Sequence, residues 1–163
     1  MNKTTNTKKK VAIYVRVASD NQEETCGIEA QEKRLRDFVI QNDYSLDERH
    51  VYKDRCVSGF LPLEKRPEAK KLFEGARKHE FDTVIVYRID RLFRKAKLLL
   101  EAMDEFDRLK IDIQSVTDHI NTNSSEGRFM MTIFSSMAEM ERNIIQERIM
   151  RGKMAIKNKL MTT

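Results

Sequence analysis

Two cysteines, two prolines, five glycines and no tryptophan in 163 residues leave this chain poor in the residues that mark special sites and sharp turns. The cysteines, Cys26 and Cys56, stand in polar stretches and form neither a Cys-x-x-Cys pair nor a Cys/His spacing. That spacing excludes a disulfide framework and a zinc-type ligand set, and it fits reduced thiols in a reducing compartment. No apolar run approaches the length of a membrane span, and no signal-peptide core follows the N-terminal lysines, so a cytoplasmic protein with no membrane partner is expected. There is no GxxxxGK[ST] loop and no GxGxxG, and the first strand-to-helix loop contains only Gly27. A nucleotide hydrolase or dinucleotide-binding domain would lack its phosphate-cradling loop. No cofactor and no metal are expected.

Charge is abundant: 35% of residues are Asp, Glu, Lys or Arg, with a formal net charge of +5. From Arg142 to Thr163 there are six Lys or Arg and one Glu, a net of +5. The last segment therefore carries the whole excess and favours a polyanionic partner. The length suits one packed domain and is short for two. The first ten residues are polar and end in Lys8-Lys9-Lys10, which reads as a disordered tail over 1–10.

Hydrophobic patterning predicts an α/β fold with a mainly parallel four- to five-stranded sheet flanked by helices, followed by a long C-terminal helix. Residues 11–17 are apolar on both faces, as in a central parallel strand. Residues 28–41 carry Leu35, Phe38, Val39 and Ile40 between charges, as in an amphipathic helix. Residues 50–52 read as a short strand, 54–67 as a mobile loop with Pro62 and Pro67, and 68–78 as a helix. Residues 83–89 read as a strand, 98–109 as a helix and 111–116 as a strand, followed by a polar loop over 117–125. The α/β unit is thus placed at 11–126 and the long helix at 127–163. In that helix Met130, Ile133, Met137, Met140 and Ile144 recur at spacings of 3, 4, 3 and 4, a narrow coiled-coil-like seam. A helix of about 30 residues is about 45 Å long, more than a small domain covers. Its early turns are expected to pack on the sheet and its basic distal half to project toward a partner.

In open α/β sheets sites collect at the carboxyl ends of the strands. Arg16 lies near the end of the first strand, where burying a charge is costly without a partner. Asp90-Arg91-Leu92-Phe93-Arg94 follows the 83–89 strand, with Arg91 and Arg94 one helical turn apart. Arg66 precedes Pro67. Taken singly, an Asp-Arg pair is a common surface helix start. Four arginines at one strand-end crevice suit a phosphate, because guanidinium groups bind its oxygens bidentately and keep their charge. Asp90 is placed to orient one of them.

The full order is more specific: Tyr14-x-Arg16-Val17, Gln22, Gln31, Asp54, Ser58-Gly59, Arg66-Pro67, Asp90-Arg91-x-x-Arg94 and Glu141-Arg142. It resembles the catalytic domain of the serine recombinases, the resolvase/invertase superfamily, over roughly residues 10–153. The leading segments look more like the large subclass of integrases and transposon excision enzymes than the compact resolvases. The resemblance implies a serine that attacks a DNA phosphodiester, forms a 5′-phosphoserine link and leaves a free 3′-hydroxyl. Four subunits cut two duplexes, one pair rotates, and religation follows without metal or external energy. It also implies that Arg16, Arg91 and Arg94 stabilise the transition-state charge with Arg66 in support. Asp90 would hold arginines, and Tyr14, Gln22, Gln31, Asp54 and Ser58 would complete the site. Double-stranded DNA and a homodimer or homotetramer are the implied partners, in a bacterial or phage-encoded, nucleoid-associated protein. Met130, Ile133, Met137, Met140 and Ile144 would form the interface, and Arg142, Arg148, Arg151 and Lys153 would approach DNA.

The motif expects serine after Arg16-Val17, and the chain has Ala18. Alanine has no nucleophilic atom. Three accounts stand: an introduced Ser→Ala change, use of Ser19 with the loop shifted by one, or a natural non-catalytic DNA-binding and dimerisation module on the same fold. A shift by one on an extended strand points the hydroxyl to the other face. The intact arginine set argues against a long-abandoned site. No helix-turn-helix or zinc-ligand cluster follows the long helix, so the chain is expected to be a piece of a longer protein. Alone it is expected to bind DNA weakly and with steep salt dependence.

Overall fold

The computed structural model describes residues 8–18, 27–92 and 96–160, with the side chains of 90, 91, 96, 138, 141, 142, 153 and 155–160 left out. A five-stranded sheet has the order β2-β1-β3-β4-β5. Its strands are β1 (Lys10–Arg16), β2 (Ser45–Asp54), β3 (Thr83–Val86), β4 (Asp112–Ser115) and β5 (Ile120–Asn121). The first four are parallel, and β5 returns antiparallel along β4. Helices are α1 (Ile28–Gln41), α2 (Pro67–Arg77), α3 (Ile89–Leu92), α4 (Ala96–Arg108) and α5 (Ser125–Leu160). A single 3-10 turn, Leu63–Lys65, precedes α2.

β1 sits between β2 and β3, which explains its apolar character on both faces. Val11, Ile13 and Val15 face α1 with Leu35 and Val39. Ala12 and Tyr14 face α2 and α4 with Leu72, Phe73 and Phe106, whose rings from α2 and α4 stack 4.6 Å apart. The connection from β1 leads to β2 on one side, and the next leads to β3 on the other. The order therefore reverses between β1 and β3, where an open parallel sheet forms a crevice at its carboxyl edge.

The differences from the sequence reading have local causes. The strand expected at 50–52 spans Ser45–Asp54. It is an edge strand, and its charged residues hide the alternation. Its pairing with β1 slips from Val11↔Leu46 to Ile13↔Val51, so an extra loop of strand bulges out. The polar loop expected at 117–125 contains β5, too short to show a period. Lys10 begins β1, Lys9 Nζ lies 2.8 Å from Asp112 and Lys8 pairs with Asp43. The expected tail therefore excludes 8–10, and residues 1–7 lie outside the described set.

Glycine scarcity shows in the turns. Asp43, His79 and Lys110, just past α1, α2 and α4, take φ of 53–57°, and so do Cys56 and His119. A left-handed non-glycine residue costs about 1 kcal/mol. Backbone closure offsets this: Tyr44 N donates to Val39 O, Glu80 N to Gly75 O and Ile111 N to Phe106 O.

α5 leaves the domain after three turns. Ser124 Oγ accepts from Gly127 N, as an N-cap does. Met130, Met131 and Phe134 pack on the core. Met130 thus packs on the domain, as expected of the early turns of this helix. Ile133, Met137, Met140 and Ile144 are exposed, as are Phe129, Ile145, Ile149, Met150 and Met154.

Gly127 lets α5 lie against β5. A Cβ there would stand 1.8 Å from the carbonyl oxygen of Asn121, whereas one at Gly152 would meet nothing within 4 Å. Gly127→Ala is expected to destabilise by about 1–3 kcal/mol through forced displacement of the helix. Gly152→Ala is expected to be neutral or stabilising by up to about 1 kcal/mol. Thermal unfolding of both variants checks this, and equal midpoints would refute the close approach.

Candidate active site

Parallel strands bring four segments to one edge. Arg16 pairs in register with Asp54, Tyr14 with Val86, and Val86 with Ser115. Beyond them lie Val17 and Ala18, the loop from Arg55, α3, and the β4–β5 turn.

Val17 N donates to Asp54 O and Val57 N to Val17 O, so the loop after β2 zips onto the end of β1. Arg16 is wholly buried, and its Nη1 donates to Val57 O at 2.8 Å. Gln31, buried on α1, donates from Nε2 to Arg16 O at 3.4 Å. Ala18 follows in a half-buried bend, two residues past Arg16 on the face that Tyr14 and Arg16 share.

Arg66 is also wholly buried. Its Nε and Nη2 donate to Leu61 O at 3.0 and 2.8 Å, and Nη2 donates to Gly59 O at 3.0 Å. Its Nη1 donates to Leu92 O and, at 3.4 Å, to Tyr14 Oη. These bonds make Arg66 a strut between the 59–61 loop, β1 and the end of α3.

Asp54 is 2% exposed and accepts from Tyr14 Oη at 2.9 Å. It also accepts from the amides of Glu68 and Ala69 at 3.0 and 3.2 Å. With Pro67 at the first helical position, the carboxylate satisfies two orphan donors at the positive end of α2. Burial first, then the Asp54 charge, pushes the Tyr14 phenol well above its ordinary value, and Arg66 opposes this. Ser58 is exposed, and its hydroxyl accepts from Phe60 N at 3.2 Å in a local turn.

The structure therefore gathers Tyr14, Asp54 and Arg66 in one buried network, with buried Arg16 on the neighbouring loop carbonyl of Val57 and Gln31 bracing its backbone. Ala18 and Ser58 stand at its margin. Asp90 and Arg91 are placed by backbone alone, in α3. Gln22, Arg94 and Ser19 lie outside the described residues, as does Cys26. Arg148 and Arg151 are exposed on α5, with Arg151 Nη2 3.2 Å from Glu147, while the side chains of Arg142 and Lys153 are not described.

Two features escaped the sequence reading. Asp118, in the β4–β5 turn, accepts from Ile89 N at 2.8 Å and from Ser115 Oγ at 2.8 Å. Arg88 Nε lies 4.0 Å from its other oxygen. Its place just past a strand's carboxyl end was the available signal. The second is a groove of about 500 Å³ between α4, α5 and the start of β4, lined by Met103, Asp107, Ile113, Asn123, Arg128 and Met131. It lies at the opposite edge of the sheet from the arginines. Among the described residues no cluster of three His, Cys, Asp or Glu is arranged to hold a metal, and no helix is long and apolar enough to cross a membrane.

The buried arginines beside an open bend suit an anion that develops charge at position 18. Comparison with known proteins agrees in kind. The family profile described as Resolvase, N terminal domain matches residues 11–159. The transposon Tn917 resolvase of Enterococcus faecalis is 30% identical over 139 residues, 85% of this chain and 66% of that protein. The serine recombinase gin of Escherichia phage Mu is 39% identical over 94 residues, 58% of this chain and 48% of that protein. Among solved structures, the N-terminal catalytic domain of TP901-1 integrase is 36% identical with a TM-score of 0.75, covering 83% of this chain and 98% of that one. A resolvase family site-specific recombinase from Streptococcus pneumoniae is 28% identical with a TM-score of 0.73, covering 89% and 95%. This chain spans about half to two thirds of the length of these curated relatives.

The Tyr14 phenol gives a pH signature. Its proton is held more tightly folded than unfolded, so the stability it confers is complete below about pH 10 and is lost as pH rises toward the elevated folded value. Tyr52, pushed up to about 12 mainly by burial, adds to the same alkaline loss. Tyr14→Phe should destabilise by about 1–3 kcal/mol at neutral pH, because Asp54 loses a donor. It should also remove one late-ionising phenol from an ultraviolet titration. An unchanged high-pH limb in the variant would refute the assignment.

Proposed function

The chain belongs to the resolvase N-terminal domain family, and from that membership we propose that it is the catalytic domain of a DNA recombinase whose nucleophile position is filled by Ala18. One observation carries the reading: Arg16 is wholly buried at the end of the central strand, two residues before Ala18, beside the crevice where the strand order reverses. A cation held there without exposure is preorganised for a phosphate approaching position 18, where water reorganisation would be small.

With serine at 18, the hydroxyl oxygen would attack the scissile phosphorus. The new Oγ–P bond replaces the bond to the 3′ oxygen, which leaves as a 3′-hydroxyl, and reversal restores the DNA. Arg16 and, from α3 and the residues after it, Arg91 and Arg94 would neutralise the charge gathered on the phosphoryl oxygens. Arg66 acts at one remove, through its bonds to Leu92 O and the 59–61 loop. Tyr14 and Asp54 hold Arg66 and the start of α2. Gln31 supports the Arg16 backbone, and Ser58 closes the turn beside it. Gln22 and Asp90 are retained as site residues on the motif alone. Similarity to the TP901-1 integrase domain supports the large subclass.

The exposed row Ile133, Met137, Met140 and Ile144 is the proposed contact with a second copy, as a dimer or tetramer. Arg142, within the span of that row, and Arg148, Arg151 and Lys153, beyond it, are the residues of α5 proposed to approach DNA. The second reading, a non-catalytic DNA-binding and dimerisation module, is favoured by Ala18 itself, which offers no attacking atom.

Ala18→Ser in the full-length protein, mixed with DNA bearing the ends of its mobile element, is expected to give a covalent protein–DNA adduct under denaturing conditions, and Ala18 none. Adducts with both would move the nucleophile to Ser19. Adducts with neither, with DNA binding retained, would favour the non-catalytic module. Separately, Met137→Glu with Met140→Glu should lower the sedimentation coefficient to the monomer's, since a charge buried at a helix seam is not tolerated. Unchanged sedimentation would remove the α5 interface.

A further inference from the structure

We propose that Asp118 is a positioning residue for the Asp90-Arg91 segment, gripping the first amide of α3 from the β4–β5 turn. Its consequence for DNA cleavage rests on the recombinase reading.

The helix that bears Asp90 and Arg91 begins at Ile89. The first amides of a helix have no helical acceptor, so what orients its start must grip them. Ile89 N donates to Asp118 Oδ2 at 2.8 Å. Three residues on, Leu92 O accepts from buried Arg66. An anion at the amide end complements the peptide dipoles. Ile89 and Leu92 are buried in the core at 5% and 0% exposure. The two positions between these anchors are Asp90 and Arg91.

Asp118 is itself held in place. Val116 N donates to Val86 O and Thr117 N to Tyr87 O, so the turn is hooked along the extension of β3 that leads into α3. Ser115, 4% exposed, donates its hydroxyl to the same Oδ2 that receives Ile89 N. His119 then takes φ of 53° and turns the chain back into β5. A carboxylate oxygen that accepts from a fixed hydroxyl and a fixed amide sets a position rather than moving a proton. This assigns the turn a task that neither β4 nor β5 requires for its own pairing.

The test has two parts. In the chain as it stands, amide hydrogen exchange at Ile89 is expected to accelerate about tenfold in Asp118→Ala. Asp118→Asn, which keeps a side-chain oxygen acceptor, should restore protection. Unchanged exchange in Asp118→Ala would overturn the grip whatever the protein's function. In the full-length protein carrying Ala18→Ser, Asp118→Ala should slow adduct formation at saturating protein by roughly 10- to 100-fold. DNA affinity should stay within about threefold, and Asp118→Asn should recover most of the rate. An unslowed Asp118→Ala, or a loss fully shared by Asp118→Asn, would overturn the positioning role. An inactive Ala18→Ser parent would instead overturn the recombinase reading and leave the exchange result to decide the grip.

Discussion

A guanidinium group with no exposure to water sets the architecture of this edge of the sheet. Removing a cation from water costs several kcal/mol unless hydrogen bonds replace its hydration. Arg66 meets that demand with main-chain carbonyls: Gly59 and Leu61 from the loop before it, and Leu92 from α3. The loop after β2 must therefore turn its carbonyls inward. Tyr14 Oη stands between Arg66 and Asp54, accepting from one and donating to the other. Asp54 closes the chain at the amide end of α2. One buried charge thus fixes a loop, the start of one helix and the end of another. Counting the described buried charges of this edge, Arg16 and Arg66 against Asp54, leaves one positive. That sign suits an anion.

The scarcity of glycine has a second effect. Left-handed turns fall to Asp43, Cys56, His79, Lys110 and His119, of which only Asp43 is a turn residue by type. Two of these turns flank the crevice: Cys56 before the carbonyl that Arg16 uses, and His119 after Asp118. Two of the glycines, Gly75 and Gly127, are spent on proximity instead. Gly127, with no left-handed φ, permits α5 to touch the backbone of β5.

What could be read from sequence follows the strength of each local pattern. β1, buried on both faces, and α1, with one apolar stripe, stood out because packing imposes their periodicity. β2 was mostly lost because an edge strand is free to be charged, and β5 because two residues have no period. The carboxyl-edge placement of Arg16 and Arg66 followed from the strand and loop pattern, whereas Tyr14 and Asp54 entered only through the motif's resemblance. Their bonding was not legible: nothing in Arg66-Pro67 says that the guanidinium turns back onto carbonyls, and only its place just past β4 marks Asp118. The seam on α5 was legible as a stripe. Where the domain stops covering that stripe was not, because periodicity carries no such signal.

These bonds change the weight of one argument. Four arginines preserved beside an alanine suggest a site only recently deprived of its nucleophile. Arg16 and Arg66, however, serve the fold directly. Arg16 fastens the loop at Val57, and Arg66 ties three segments together. Removing either side chain would leave buried carbonyls unsatisfied, at about 1–3 kcal/mol for each group. Their presence is explained by folding whether or not DNA is cut. Tyr14 and Asp54 fall under the same account. Arg91 and Arg94 are assigned to the chemistry on the motif alone, together with the acceptor that grips the segment bearing Arg91. Position 18 is independent of all of them. It sits in a half-buried bend where a hydroxyl adds one atom to the side chain. The buried charge and any bond breaking are therefore separable here: the first is held by the fold, and on the proposed reading the second would depend on a single oxygen.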